Sequence, residues 1–273
     1  MNNITRYLDN QKQNKKKIII FTIFISLTLV IMSCKPKNHE QLVNEAKINI
    51  QNEEYDRAKD LLKKALEQKK SKEAYKELGN LYLLAEANYD LAEQFYILSL
   101  SLDEDYINSI HNMGLVYIKK YESKDERNFK TKEGHIETAI KWFQKALEKD
   151  KNFELSHIEL SRCYLYKKDF KKSIDYIENA INLNENNPIS FSLAGEIILS
   201  TNNNYKQALE YFEKSYAISN SIPETLFFLA KTHKKLGNEE KSSEYYKIYI
   251  ELLKRLNTPF EIIKRAEAEQ KNL

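Results

Sequence analysis

From residue 40 onward, apolar positions recur at spacings of three and four, which gathers them on one face of an α-helix. Within this pattern a small residue begins an Ala-x-x-x-large motif at Ala58, Ala92, Ala139, Ser173, Ala208 and Ser242. The intervals are 34, 47, 34, 35 and 34 residues. A second register of small residues, Ala46, Gly79, Gly114, Ser161, Gly195 and Ala230, has intervals of 33, 35, 47, 34 and 35. Two independent registers that share one period and one interruption predict a repeated pair of helices. The small residues let two helix backbones approach closely, and the large residue one turn away fills the space beside them. One such hairpin leaves an apolar face open, so stability requires stacked neighbours.

The punctuation of the chain agrees. Five glycines and four prolines in 273 residues leave few tight turns and little strand punctuation. Three of the glycines occupy the small position, and Gly237 ends a helix in Leu236-Gly237-Asn238. Pro188 and Pro223 open the first helices of the fifth and sixth hairpins, where proline is tolerated. After Asn257-Thr258-Pro259, residues 258–273 predict a last amphipathic helix. Phe260, Ile263 and Ala266 would face the preceding repeat and the charged residues would face water, as a terminal cap requires.

The residues at these positions can be compared with known repeats. First helices carry Tyr75-x-x-Leu78-Gly79-x-x-Tyr82 and Ile110-x-x-Met113-Gly114-x-x-Tyr117. Second helices carry Ala139-x-x-x-Phe143-x-x-Ala146 and Ala208-x-x-x-Phe212-x-x-Ser215. This resembles the tetratricopeptide repeat, two antiparallel helices in 34 residues. The first repeat lacks the tyrosine, and Asn49 stands there. The resemblance covers about residues 40–257. It implies an all-α fold, a right-handed α-solenoid of about six tetratricopeptide-like helix hairpins plus a C-terminal capping helix.

The 47-residue interval exceeds the period by 13, and the excess falls at about residues 119–133, in repeat three. That stretch is strongly charged, with Tyr121 and Phe129 as its aromatic residues. Insertions in repeat proteins map to loops that often form a binding face, which makes Tyr121 and Phe129 candidate contacts. The alternative is a solvated extension of both helices.

Before the repeats, Lys15-Lys16-Lys17 precedes a 15-residue apolar run, Ile18 to Met32. A spanning helix needs about 20 residues, whereas a basic cluster and a short apolar run fit a secretory signal. Ser33-Cys34 at its end resembles a lipobox, in which a small residue precedes a cysteine that is acylated and becomes the mature N-terminus. Residues 1–33 then form a lipoprotein signal peptide and residues 34–39 a lipid tether. An uncleaved anchor helix is the alternative, and either arrangement places the repeats outside the cytoplasm. Residues 35–39, fully extended, reach at most ~18 Å, so the repeats and their partner would lie close to the membrane.

Charge changes one inference. The net charge is +3, but residues 1–33 carry +4, so the remainder is near neutral and a nucleic-acid partner is not expected. Histidines show no metal-ligand spacing, and no phosphate-binding or nucleophile motif is present. No enzyme activity, cofactor, metal or small-molecule substrate is expected. Cys163 lies on an apolar face and reads as core.

The resemblance places a partner in the concave groove lined by first helices. In this register Lys76, Asn80, His111, Asn112, Ile158, Arg162, Tyr166, Phe227 and Lys231 are the candidate groove residues, with Ser192 and Glu196 in repeat five. Lys76, Asn80 and Asn112 resemble half of the clamp by which some tetratricopeptide proteins hold a peptide carboxylate; Leu155 and Glu159 stand where the basic half would be. The groove is expected to be mixed apolar and basic, suited to an extended or helical protein segment. In the alternative, Ile158 and Phe227 pack between helices. Arg162 and Tyr166, one turn apart and of types enriched in binding hot spots, are the preferred contacts. The resulting expectation is a non-catalytic, lipid-anchored scaffold of the bacterial cell envelope, at the outer membrane. It is similar to repeat lipoproteins that assist envelope assembly; display on the cell surface to bind a host or external ligand is the alternative.

Overall fold

The computed structural model describes residues 36–123 and 129–271. The expected signal segment and Cys34 lie outside these residues, as does the side chain of Phe129. Among the described residues there are thirteen helices and no strand. The described residues fall into two compact units, divided between Lys70 and Ser71.

The first unit contains one hairpin, α1 (His39–Gln51) and α2 (Tyr55–Gln68). Asn38 starts α1 with a reciprocal capping box to Gln41. Leu42, Val43 and Ala46 of α1 and Ala58, Leu62 and Ala65 of α2 are buried. Asn49, at the tyrosine position, is also buried and its Nδ2 donates to the Glu45 carbonyl at 2.7 Å.

The second unit contains five hairpins and a last helix. The hairpins are α3 (Lys72–Leu84) with α4 (Tyr89–Leu102), α5 (Ile107–Glu122) with α6 (Phe129–Lys149), and α7 (Glu154–Tyr166) with α8 (Phe170–Leu183). They continue with α9 (Pro188–Asn202) and α10 (Tyr205–Ile218), then α11 (Pro223–Lys235) and α12 (Glu239–Arg255); α13 spans Phe260–Lys271. Side chains of Ser71, Asn88, Asp169, Asn187 and Asn204 cap helix N-termini that would otherwise leave amide donors unpaired. Among the described residues, the turn inside five of the hairpins recurs as well. Glu53, Ala87, Lys168, Asn203 and Gly237 all take a left-handed backbone there, and only the last is the residue type that does so without steric cost.

Within hairpins the joint is a small residue beneath a ring. A Cβ placed on Gly79, Gly114 or Gly195 would lie 2.5 Å from a ring carbon of Tyr96, Phe143 or Phe212, respectively. Where serine replaces glycine, hydrogen bonds replace the ring contact. Ser161 Oγ donates to the Ser173 carbonyl and Ser173 Oγ to the Ser161 carbonyl, both at 2.8 Å. At the start of the first helices a further register of buried hydroxyls runs through Ser109, Ser156, Ser190 and Thr225. Ser99 and Ser109, and likewise Ser215 and Thr225, meet hydroxyl to hydroxyl at 2.8 Å.

The interruption in repeat three lengthens both helices of that hairpin. Among the described residues α5 has 16 residues and α6 has 21, against 13 and 14 in α3 and α4. The C-terminal helix follows expectation in part. Ile263 and Ala266 pack on Ile250 and Leu253 of α12, but Phe260 is 69% exposed. It is the first residue of α13, one turn before Ile263.

Candidate functional site: the concave face of the first helices

In the second unit the backbones of successive first helices (α3, α5, α7, α9, α11) approach within 8 Å of one another, whereas those of successive second helices stay farther apart and meet through side chains such as Tyr216 and Tyr245. The more closely spaced helices lie on the inside of a curved stack, so the first helices form its concave face. Side chains that leave the core on this side are the candidate site.

At α3 and α5 the polar groups on this side are tied to each other. Lys76 Nζ lies 2.5 Å from Glu77, and Asn80 Nδ2 donates to Glu77 at 2.8 Å. Asn80 Oδ1 in turn accepts from Tyr96 Oη at 2.8 Å and from Asn112 Nδ2 at 2.7 Å. A buried carboxylate requires such partners, and Glu77 is 5% exposed. Lys76, Asn80 and Asn112 therefore come together, but their polar groups serve this internal network rather than forming half of an open clamp.

Two groove candidates are core residues. His111 is buried between Phe143 and Phe153, with ring centroids 5.1 and 5.3 Å away, and its Nδ1 lies 3.0 Å from Ser156 Oγ. Burial lowers its pKa to about 4. Ile158 is 2% exposed and packs with Leu165, Ile177 and Leu193. Their register, which also holds Lys76, Ser192 and Phe227, lies at the seam between neighbouring first helices. His111, Ile158 and Ser192 are covered there, Phe227 is half-buried, and the long Lys76 reaches out.

The structure joins two candidates that the sequence kept apart. The rings of Tyr121 (in the lengthened part of α5) and Tyr166 (at the end of α7) stack with centroids 5.0 Å apart. Tyr166 Oη donates to Glu122 at 2.7 Å. Burial and this carboxylate raise the phenol pKa. The pair borders a cavity of about 430 Å³ with Glu133, Ile136, Lys167 and Lys168. Cys163 lies behind it in the core, where burial pushes the thiol pKa up and removes the thiolate that reactivity requires.

Arg162 occupies the middle of the face. Its Nε is 3.2 Å from Glu159. Burial opposes its charge, but Glu159, Tyr166 and Glu196 outweigh that effect and raise its pKa. Arg162 borders a second cavity of about 190 Å³, shared by α7, α9 and the start of α11 and lined also by Ser192, Glu196 and Glu224. Here the groove is acidic, contrary to the basic character expected. Lys76 and Arg162 each stand beside a carboxylate, and Glu224 adds another. Glu224 shares its register with Leu155 and Ile189, and was legible once that register was followed into repeat six. Farther along, Lys231 Nζ lies 4.9 Å from the Phe227 ring centroid, and that ring packs against Phe228 and Tyr249. Phe227 and Lys231 are thus brought together as one amphipathic surface.

A family model described as tetratricopeptide repeat matches residues 156–187 and 223–252, the fourth and sixth hairpins. The chain is similar to the BBSome complex member BBS4 of Bos taurus, with 29% identity over 113 residues, 41% of this chain and 21% of that protein. It thus spans about a fifth of the length of that curated relative. Among solved structures it is similar to a tetratricopeptide repeat protein from Parabacteroides merdae, with a TM-score of 0.68 and 14% identity over 90% of this chain and 89% of that one. It is also similar to PilW, a type IV pilus biogenesis factor, with a TM-score of 0.63 and 18% identity over 82% of this chain and 96% of that one. At these identities the structural likeness speaks to fold.

Proposed function

We propose that this chain, which carries tetratricopeptide repeats in an all-helical solenoid, is a lipid-anchored scaffold of the bacterial cell envelope that binds a protein segment on its concave face. Solenoids of this kind are in general non-catalytic protein-interaction scaffolds. The observation that carries the reading is the row Tyr166, Arg162, Phe227 and Lys231. These side chains leave the first helices on the concave side, where an extended surface of alternating apolar and charged groups suits a peptide or helix.

The envelope location rests on the sequence before residue 36: a basic cluster, a 15-residue apolar run and Ser33-Cys34. Acylation of Cys34 would hold the first unit against a membrane, and more than one acyl chain gives stable anchoring. Among the described residues no helix is long and apolar enough to cross a membrane.

One experiment addresses both halves. Cells producing the full chain are fed an alkyne fatty acid and fractionated, and proteins crosslinked in the native membrane are recovered with it. The proposal expects label and membrane residence to be lost in Cys34→Ala. It expects a crosslinked partner to be lost in Arg162→Glu with Tyr166→Ala, a variant that should remain helical. Label retained without Cys34 contradicts the anchor. Every partner retained by the groove variant contradicts the binding face. Protease treatment of intact cells separates the envelope scaffold, which stays protected, from a surface-displayed protein, which is shaved.

A further inference from the structure

We infer that the cavity between α7, α9 and α11 is a receptor for one basic side chain, lysine or arginine, of the partner segment bound on the concave face. The inference rests on the groove reading above and assigns the chemistry of its central pocket.

Charge is the first consideration. Arg162 is held by Glu159 at 3.2 Å, which leaves Glu196 and Glu224 of the same cavity without an ion pair among the described residues. Glu196 is the more telling of the two. It projects from the middle of α9, and its carboxyl makes no hydrogen bond to the described residues. Burial raises its pKa, Arg162 lowers it, and the nearby Glu224 raises it again. A partly desolvated carboxylate with no donor is costly. A cation placed between Glu196 and Glu224 would give both a partner.

Shape is the second. The cavity holds about 190 Å³, room for a single long side chain. Ile189, Leu193, Ile222 and Pro223 give it an apolar wall, and Arg162, Ser192, Glu196 and Glu224 supply its polar groups. Lysine and arginine have this division, an aliphatic stem and a charged head. Ser192, 6% exposed, lines the same cavity with a hydroxyl that makes no hydrogen bond among the described residues, and supplies one more acceptor. Ile189 is 43% exposed at the rim, where the stem and the backbone of the partner would cover it.

Three blocked five-residue peptides of sequence Gly-Leu-x-Leu-Gly, with lysine, acetyl-lysine or glutamate at the centre, test the assignment. They are titrated to millimolar concentration into the chain labelled at isoleucine and leucine methyl groups, and methyl shifts are followed by NMR. The lysine peptide should move the methyls of Ile189, Leu193 and Ile222, more weakly at high salt, and the other two should not. Hydrogen bonds to charged groups are strong enough that Glu196→Gln should weaken this binding about tenfold, and Glu224→Gln should weaken it further. The assignment is overturned if no peptide moves these methyls or if Glu196→Gln leaves the lysine peptide unaffected. It is equally overturned if the glutamate peptide binds as well, which would make Arg162 the anchor. Any of these leaves the concave face itself to be judged by partner recovery with the Arg162→Glu, Tyr166→Ala variant.

Discussion

Enclosed by Phe143, Phe153 and Ser156, the His111 imidazole is neutral in the folded chain and titrates at about 4. In the unfolded chain it returns to about 6.5. The folded pKa is the lower one, so the stabilising contribution is complete above about pH 6.5 and is lost as pH falls toward 4. By about pH 5 the loss from this residue alone should reach roughly 2 kcal/mol. His233, stacked on Tyr245, has a pKa lowered by burial and by Lys241 and acts in the same direction. His111→Gln keeps a hydrogen-bonding group near Ser156 but does not titrate. Urea unfolding near pH 7.5 and near pH 5 should therefore show a smaller pH effect in the variant than in the parent. Equal losses in both would mean that His111 is not enclosed as described. This is also a residue whose role the repeat register misassigned. Register fixes which helix face a residue lies on, but whether the next hairpin covers it depends on its length, as Lys76 and His111 show at equivalent positions.

At the scale of the helix pair, the small-beneath-large joint carries the fold. Gly195→Ala would set a methyl 2.5 Å from the Phe212 ring, and Phe212 is fully buried with little room to retreat. Overpacking of this kind costs about 1–3 kcal/mol. Gly134 has open space around its Cβ position and sits inside α6, where alanine is favoured over glycine by about 1 kcal/mol. Thermal unfolding should rank Gly134→Ala above the parent and Gly195→Ala below it; the reverse order would remove the joint from the account. These pairs were legible before the structure because close approach of two backbones demands a small residue at a fixed interval. The lengthening of α5 and α6 was legible only as an excess of 13 residues. A charged, helix-compatible stretch extends two helices as readily as it forms a loop, and spacing does not distinguish them. The exposure of Phe260 was hidden for a similar reason. Periodicity assigns a face to α13 but not the distance over which α12 covers it.

For the whole molecule, the question is which surface the stack offers. The closer backbone approach of successive first helices makes theirs the concave side of the second unit, as the repeat resemblance implied. Its charge was harder to read. Lys76 and Arg162 looked basic in sequence because their neutralising partners, Glu77 and Glu159, are near neighbours on the same helix, and Glu224 arrives from a different repeat. The central claim is that a protein partner lies on this concave face. Photocrosslinking amino acids placed singly at Leu155 and Lys231 on first helices, and at Glu178 and Glu210 on second helices, test it in native membranes. All four positions are exposed. The account predicts a shared crosslinked protein from Leu155 and Lys231 and none from Glu178 or Glu210. Crosslinks to that protein from the second-helix positions, with none from Leu155 and Lys231, would contradict it.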